Sequence, residues 1–143
     1  MNIKIEKNYI SVVSPKITWL CGLSSGSPKL ARAAALYPFI FFRSEEDKIP
    51  WIINHETIHF RQQIEMLFLG NFILSFLETA YSVLFLRKTL KESYLWRSSE
   101  QEAYLNQQDP TYLDNRKFWA QFKYIKNKKD FILGKLGEIT LLN

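Results

Sequence analysis

The chain has only two histidines, and they stand four residues apart. Residues 51–63 read Trp-Ile-Ile-Asn-His-Glu-Thr-Ile-His-Phe-Arg-Gln-Gln, so His55 and His59 share one His-Glu-x-x-His pattern. Residues four apart lie on one face of a helix, and two imidazoles there can reach one metal ion. Pro50 suits the first position of that helix, where its missing N–H costs nothing. The flanks Trp51, Ile52, Ile53, Ile58 and Phe60 are apolar, which excludes a fully solvated helix. Glu56 lies about a third of a turn from His55, within reach of a water on the same ion. A catalytic zinc takes three protein ligands, keeps a fourth position for water and lowers the pKa of that water to about 7. Two histidines and a base therefore require a third ligand from elsewhere.

A chain of 143 residues suits one domain, 1–143, and an apolar fraction of 47% supports a packed core. The single cysteine, Cys21, excludes an intrachain disulfide and fits a reducing, cytoplasmic setting. The charged, alternating start Met1–Lys7 lacks the apolar run of a signal peptide. A net charge of +5 is mild. The basic and aromatic tract 116–129 reads as a solvated helix face, so no nucleic acid is expected.

The pattern predicts an α+β domain, with a β-rich part over about 1–44 and a helical part over about 50–125. Residues 2–13 alternate and read as strand with a turn at Lys7-Asn8. Ile17–Leu23 is a second apolar run, and 30–36 is ambiguous between helix and strand. Tyr37–Arg43 is rich in strand formers, with Pro38 placing it at a strand start or an edge. The motif helix is expected to run on, because 66–86 carries one charge, Glu78. Its polar or small positions Asn71, Ser75, Glu78, Thr79 and Ser82 fall on one narrow stripe. That length and greasiness fit a core helix, with the stripe facing water, or a segment in contact with a membrane. Residues 92–97 read as a connector. Ser99-x-x-Glu102 matches a capping box opening the next helix, which Asp109-Pro110 ends. Residues 112–125 read as the last long helix.

With no third histidine, the missing ligand is a carboxylate or Cys21. Glu100, Ala103, Tyr104 and Gln107 share a helix face, and small Ala103 allows close approach to the motif helix. Glu102 lies about 200° round and is assigned to the cap. Glu100 is therefore favoured, with Glu102 the alternative and Glu65, Glu78 and Cys21 behind them.

His-Glu-x-x-His followed by Glu-x-x-Ala resembles the gluzincin metallopeptidases, particularly the minigluzincin core and the membrane-bound Glu-x-x-Ala-Asp type. More narrowly, Asn-His-Glu-x-Ile-His-x-x-Gln-Gln, with Phe-Ile-Phe-Phe-Arg before it and Glu-x-Glu-Ala-Tyr after it, is similar to an uncharacterised family of small zinc peptidases, over roughly residues 36–125. The resemblance implies zinc on His55, His59 and Glu100, with Glu56 as the base. Two positions depart from the pattern. Arg61 stands where the zinc-protease pattern prefers an apolar residue, and Tyr104 replaces the aspartate of the membrane-bound type, leaving the partners behind the histidines unassigned.

The expected activity is thus peptide hydrolysis by a zinc-activated water, on a peptide or protein substrate. Tyr104, Gln62 and Gln63 are candidates for the oxyanion or for the shell behind the ligands, with Tyr94 and Tyr112 as further phenols. The strand near Phe39–Phe42 is expected at the cleft edge, pairing with an extended peptide. The alternative is a non-catalytic module that binds metal, or that meets a membrane or partner through 66–86. Oligomeric state is not legible.

Overall fold

The chain opens with two short strands, β1 (Asn2–Ile5) and β2 (Ile10–Val13), joined by a tight turn. A computed structural model describes residues 1–134 and 138–142. Helix α1 (Pro15–Gly22) follows. The second apolar run is therefore helix within the β-rich part. Its start was written in Ser14-Pro15, with the Ser14 hydroxyl accepting from the Ile17 N–H and the proline in the first turn. Strands β3 (Ala33–Leu36) and β4 (Phe39–Phe42) complete a sheet of order β1-β2-β4-β3, so the ambiguous 30–36 stretch is strand over 33–36, with Leu30 closing a 3-10 turn before it. The β2–β4 pair is parallel and the others antiparallel.

This order corrects the expectation for Phe39–Phe42. Strand β4 is bonded on one side to β2 and on the other to β3, so it has no free edge to offer a peptide. The edge on that side belongs to β3.

Helix α2 (Pro50–Glu65) carries the motif and packs on the sheet. Ile40 and Phe42 of β4 meet Ile52 and Phe60 of α2, with Tyr9, Val13, Ala33 and Ala35 closing round them. Burying four such side chains stabilises the fold by about 6–12 kcal/mol before entropy is counted. The alanines of β3 have no bulk to hold α2 away, so the helix lies close to that edge strand.

Helix α3 (Leu69–Leu84) does not continue α2. The two meet at 107°. Leu67 and Phe68 make the corner, with φ of 51° and 59°. Non-glycine residues in that region cost about 1 kcal/mol or more each, and the chain pays this strain to turn. Among the described residues, no single helix is long and apolar enough to cross a membrane. The polar stripe of α3 also faces the opposite way from expectation. Asn71, Glu78 and Ser82 are buried, while Phe72, Ile73, Phe76, Leu77 and Leu84 are exposed.

Helix α4 (Leu90–Trp96) occupies the expected connector. The capping box is here, with Thr89 Oγ1 accepting from Glu92 N–H and Glu92 Oε2 from Thr89 N–H. Helix α5 (Ser98–Asn106) has no side-chain cap of its own. The segment expected as one last helix is broken into α6 (Tyr112–Asn115) and α7 (Lys123–Lys126), interrupted where Trp119 takes a φ of 61°. A hairpin of β5 (Phe131–Leu133) and β6 (Ile139–Leu141) follows. The result is a small α+β domain.

Candidate metal centre

Helix α5 is set in place from both ends by other elements. At its start, Ser98 N–H donates to both carboxylate oxygens of Glu78, at 3.1 and 3.0 Å, and Ser98 Oγ donates to Oε2 at 2.9 Å. The lone acid of α3 therefore does the capping that α5 lacks, and Lys128 neutralises it. At the other end, Asn54 of α2 donates to the carbonyls of Gln107 and Asp109, at 2.9 Å each. Buried Ala103 lets α5 lie against α2. These contacts bring Glu100, in the first turn of α5, up to the histidine face of α2.

His55, His59 and Glu100 meet there. The two Nε2 atoms are 3.1 Å apart. Glu100 Oε2 is 3.5 Å from His55 Nε2, and Oε1 is 3.5 Å from His59 Nε2. His55 and Glu100 are each 6% exposed. A tetrahedral ion with ligand distances of about 2.0–2.1 Å holds its donors about 3.3 Å apart, so the spacing fits zinc.

The tautomers follow from what stands behind the rings. His59 Nδ1 is 2.8 Å from Gln62 Oε1. The other end of Gln62 donates to Ser99 O and Glu102 Oε2, at 3.1 and 3.0 Å, which fixes its amide orientation. His59 Nδ1 must therefore carry the hydrogen. His55 Nδ1 is likewise 2.9 Å from Gln107 Oε1. With both Nδ1 atoms protonated, each neutral ring turns its Nε2 lone pair toward the other and toward a carboxylate. A cation between the groups, a proton or a metal ion, would satisfy all of them. Glu100 Oε2 reinforces the point, because it is buried without a hydrogen-bond partner.

In the metal-free site a proton is that cation. Burial alone would lower the His59 pKa, but the charge and hydrogen bonding of Glu100, the charge of Glu56 and the Gln62 contact outweigh it and push it up to about 9. Burial would raise Glu100, and the two histidines overturn that and hold it well below the carboxylate range. Glu56 is different. Burial raises its pKa, and the nearby histidines only partly oppose the shift. Its carboxylate lies against the Ala35 backbone N–H of β3.

The other candidates separate clearly. Glu102 is fully buried but outside the cluster, accepting from Tyr112 Oη at 2.8 Å and from Arg116 and Gln62. It caps nothing and stands two bonds behind His59, through Gln62. Glu65 pairs with Arg116, Glu78 caps α5, and Cys21 is exposed. Gln63 does not touch the histidines. Its amide takes Tyr37 N–H and gives to Ala35 O, tying the β3 edge to α2. The ring of Tyr104 sits edge-on to His55 at 4.5 Å. Tyr94 and Tyr104 both have phenols raised by burial and then by the charge of Glu100. Gln107 was the overlooked member. Its place on the Glu100 face was the available signal, seven residues on.

No family model matches the chain, and no curated protein or solved structure does either.

Proposed function

We propose that this protein is a zinc-dependent metallopeptidase, with His55, His59 and Glu100 as ligands and Glu56 as general base. One observation carries the reading: two imidazole Nε2 atoms, each with a glutamine behind its ring, face the two oxygens of the buried Glu100 carboxylate, of which Oε2 has no hydrogen-bond partner. Three donors leave a fourth position for water, which a closed structural site would not. Bound zinc would supply the positive charge that acidifies that water and polarises a carbonyl. Glu56, its proton affinity raised by burial, takes the proton of the attacking water and returns it to the leaving amine. Gln62 and Gln107 keep the histidines in the ligating tautomer. Peptide substrates follow from the resemblance to gluzincins, and a cytoplasmic setting from the lone thiol.

The near-closure of the cluster favours a second reading, in which a proton alone joins His59 to Glu100 and the module is non-catalytic. Metal analysis after chelator-free purification separates the two, together with a Glu56→Gln variant assayed on a peptide library. The expected result is about one zinc per chain in both proteins. Hydrolysis should fall about 10²–10⁴-fold in the variant. A wild type that takes up no added zinc, or a zinc closed by a fourth protein ligand, sinks the peptidase.

A further inference from the structure

Helix α3 wears its apolar side outward. Leu69, Phe72, Ile73, Phe76, Leu77 and Leu84 are 50–71% exposed and recur at helical spacing along one side. At the corner before them Leu67 is 83% exposed, and Phe85 at the far end is 72% exposed. The polar groups of the helix are spent inside. Glu78 caps α5, Ser82 Oγ is hydrogen-bonded to Ser93 Oγ, and Thr79 Oγ1 accepts from Arg97. Tyr81 contributes the one phenol on the outer side. A solvated face would not be built this way, and a contiguous apolar patch of this kind marks an interaction surface.

We infer that the outer face of α3, from the Leu67 corner to Phe85, seats in the interfacial layer of an anionic lipid bilayer, with the helix lying in the membrane plane. Four observations select lipid over a protein partner. A protein interface carries about one hydrogen bond per 100–200 Å², and this face offers almost no group to make them. A helix of 16 residues is about 24 Å long, too short to span yet suited to lying flat. The exposed cations Arg87 and Lys91 follow the helix directly and complement anionic headgroups. Tyr81, stacked on Trp96 at 6.0 Å, supplies the aromatic pair that favours the membrane–water boundary. The corner makes this orientation possible, because a straight continuation of α2 would not present the face separately.

The inference does not depend on zinc, so its test is run in chelator. Protein is floated with vesicles of phosphatidylcholine alone, or of phosphatidylcholine with phosphatidylserine. Wild type should float with the anionic vesicles. Phe76→Glu/Leu77→Glu should lower the bound fraction about tenfold or more. Arg87→Glu/Lys91→Glu should weaken binding, with the difference shrinking at high salt. Both pairs of side chains are exposed, so melting curves should match wild type. If the first pair fails to fold, Phe72→Glu/Leu84→Glu tests the same face. Wild type that stays unbound with both vesicle types overturns the inference, as does a double variant that binds undiminished. So does a concentration-dependent dimer, formed without vesicles and abolished by Phe76→Glu, because a second copy would then be the occupant.

Discussion

Helices α2 and α3 are neighbours of equal length, 16 residues each, and they are built from opposite faces. In α2 the buried side combines Ile52, Ile58 and Phe60 with His55, Glu56, Gln62 and Gln63, so core and chemistry share one surface. In α3 the buried residues are Asn71, Glu78 and Ser82, and the apolar residues are outside. The first helix earns its place by hydrophobic packing on the sheet. The second is held by a few polar bonds, chiefly the one from Glu78 to the start of α5. A stripe of polar residues on a greasy helix thus says where a face is, and not which medium it meets.

The largest expected effect strikes the bond between the two helices' neighbourhoods. Glu78→Ala strips the cap from α5 and leaves Lys128 without its carboxylate. Breaking a buried pair on one side costs about 3–5 kcal/mol. Because α5 carries Glu100, zinc affinity should fall as well. Chemical denaturation and zinc titration measure both. An unchanged melting curve would mean that α3 is anchored by something other than Glu78.

A smaller loss is expected at the rim of the α2 site. Gln107→Leu removes the acceptor that holds His55 Nδ1–H, and the loss of such a partner weakens metal binding about 10–100-fold. Gln107→Glu retains an acceptor and should recover most of it. Equal behaviour of the two variants in a competitive chelator titration would show that the tautomer is not set there.

The pH dependence of the metal-free protein gives a third comparison. The His59 pKa is raised from 6.5 to about 9, so its contribution to stability is full below 6.5 and disappears as pH rises through about 9. Glu100 is held below its ordinary 4.5, so its contribution is present above 4.5 and is lost as pH falls toward its folded value. In chelator, the melting temperature should therefore decline between about pH 7 and about pH 10. Zinc bound in the proton's place would remove that decline from the loaded protein. A flat profile in chelator would break the His59–Glu100 pairing.

Much of the α2 side was legible from residues. Pro50 marked the helix start, the four-residue spacing joined the histidines, and the shared face of Glu100 and Ala103 brought the third donor to them. What escaped depended on distant partners. Glu102 looked like a cap because Ser99 precedes it by three, but Tyr112 and Arg116, beyond the helix break at Asp109-Pro110, draw it inward. The corner at Leu67-Phe68 had no signal, since neither residue prefers a positive φ. The stripe on α3 was visible, but its direction was not, because the periodicity of a polar face is the same whether it meets water or a buried carboxylate's partners. Trp119 hid the break in the final helix for the same reason as the corner.

The smallest expected effect is the sharpest test of the comparison. Phe60 on α2 is 4% exposed, and truncating a side chain of that size in the core costs about 3–5 kcal/mol, because the lost contacts leave a cavity. Phe76 on α3 is 70% exposed. Phe76→Ser removes little packing in the isolated domain, so its effect on unfolding in vesicle-free solution should stay within about 0.5 kcal/mol. The hydroxyl also adds a polar atom to a surface that already faces water in that experiment, so nothing is left buried and unsatisfied. Should Phe76→Ser instead cost as much as a core truncation, Phe76 must be covered in solution. The apolar side of α3 would then be buried like that of α2, and the opposition between the two helices would fail. Denaturant midpoints at two protein concentrations make the measurement decisive, because a midpoint that rises with concentration identifies another copy of the chain as the cover.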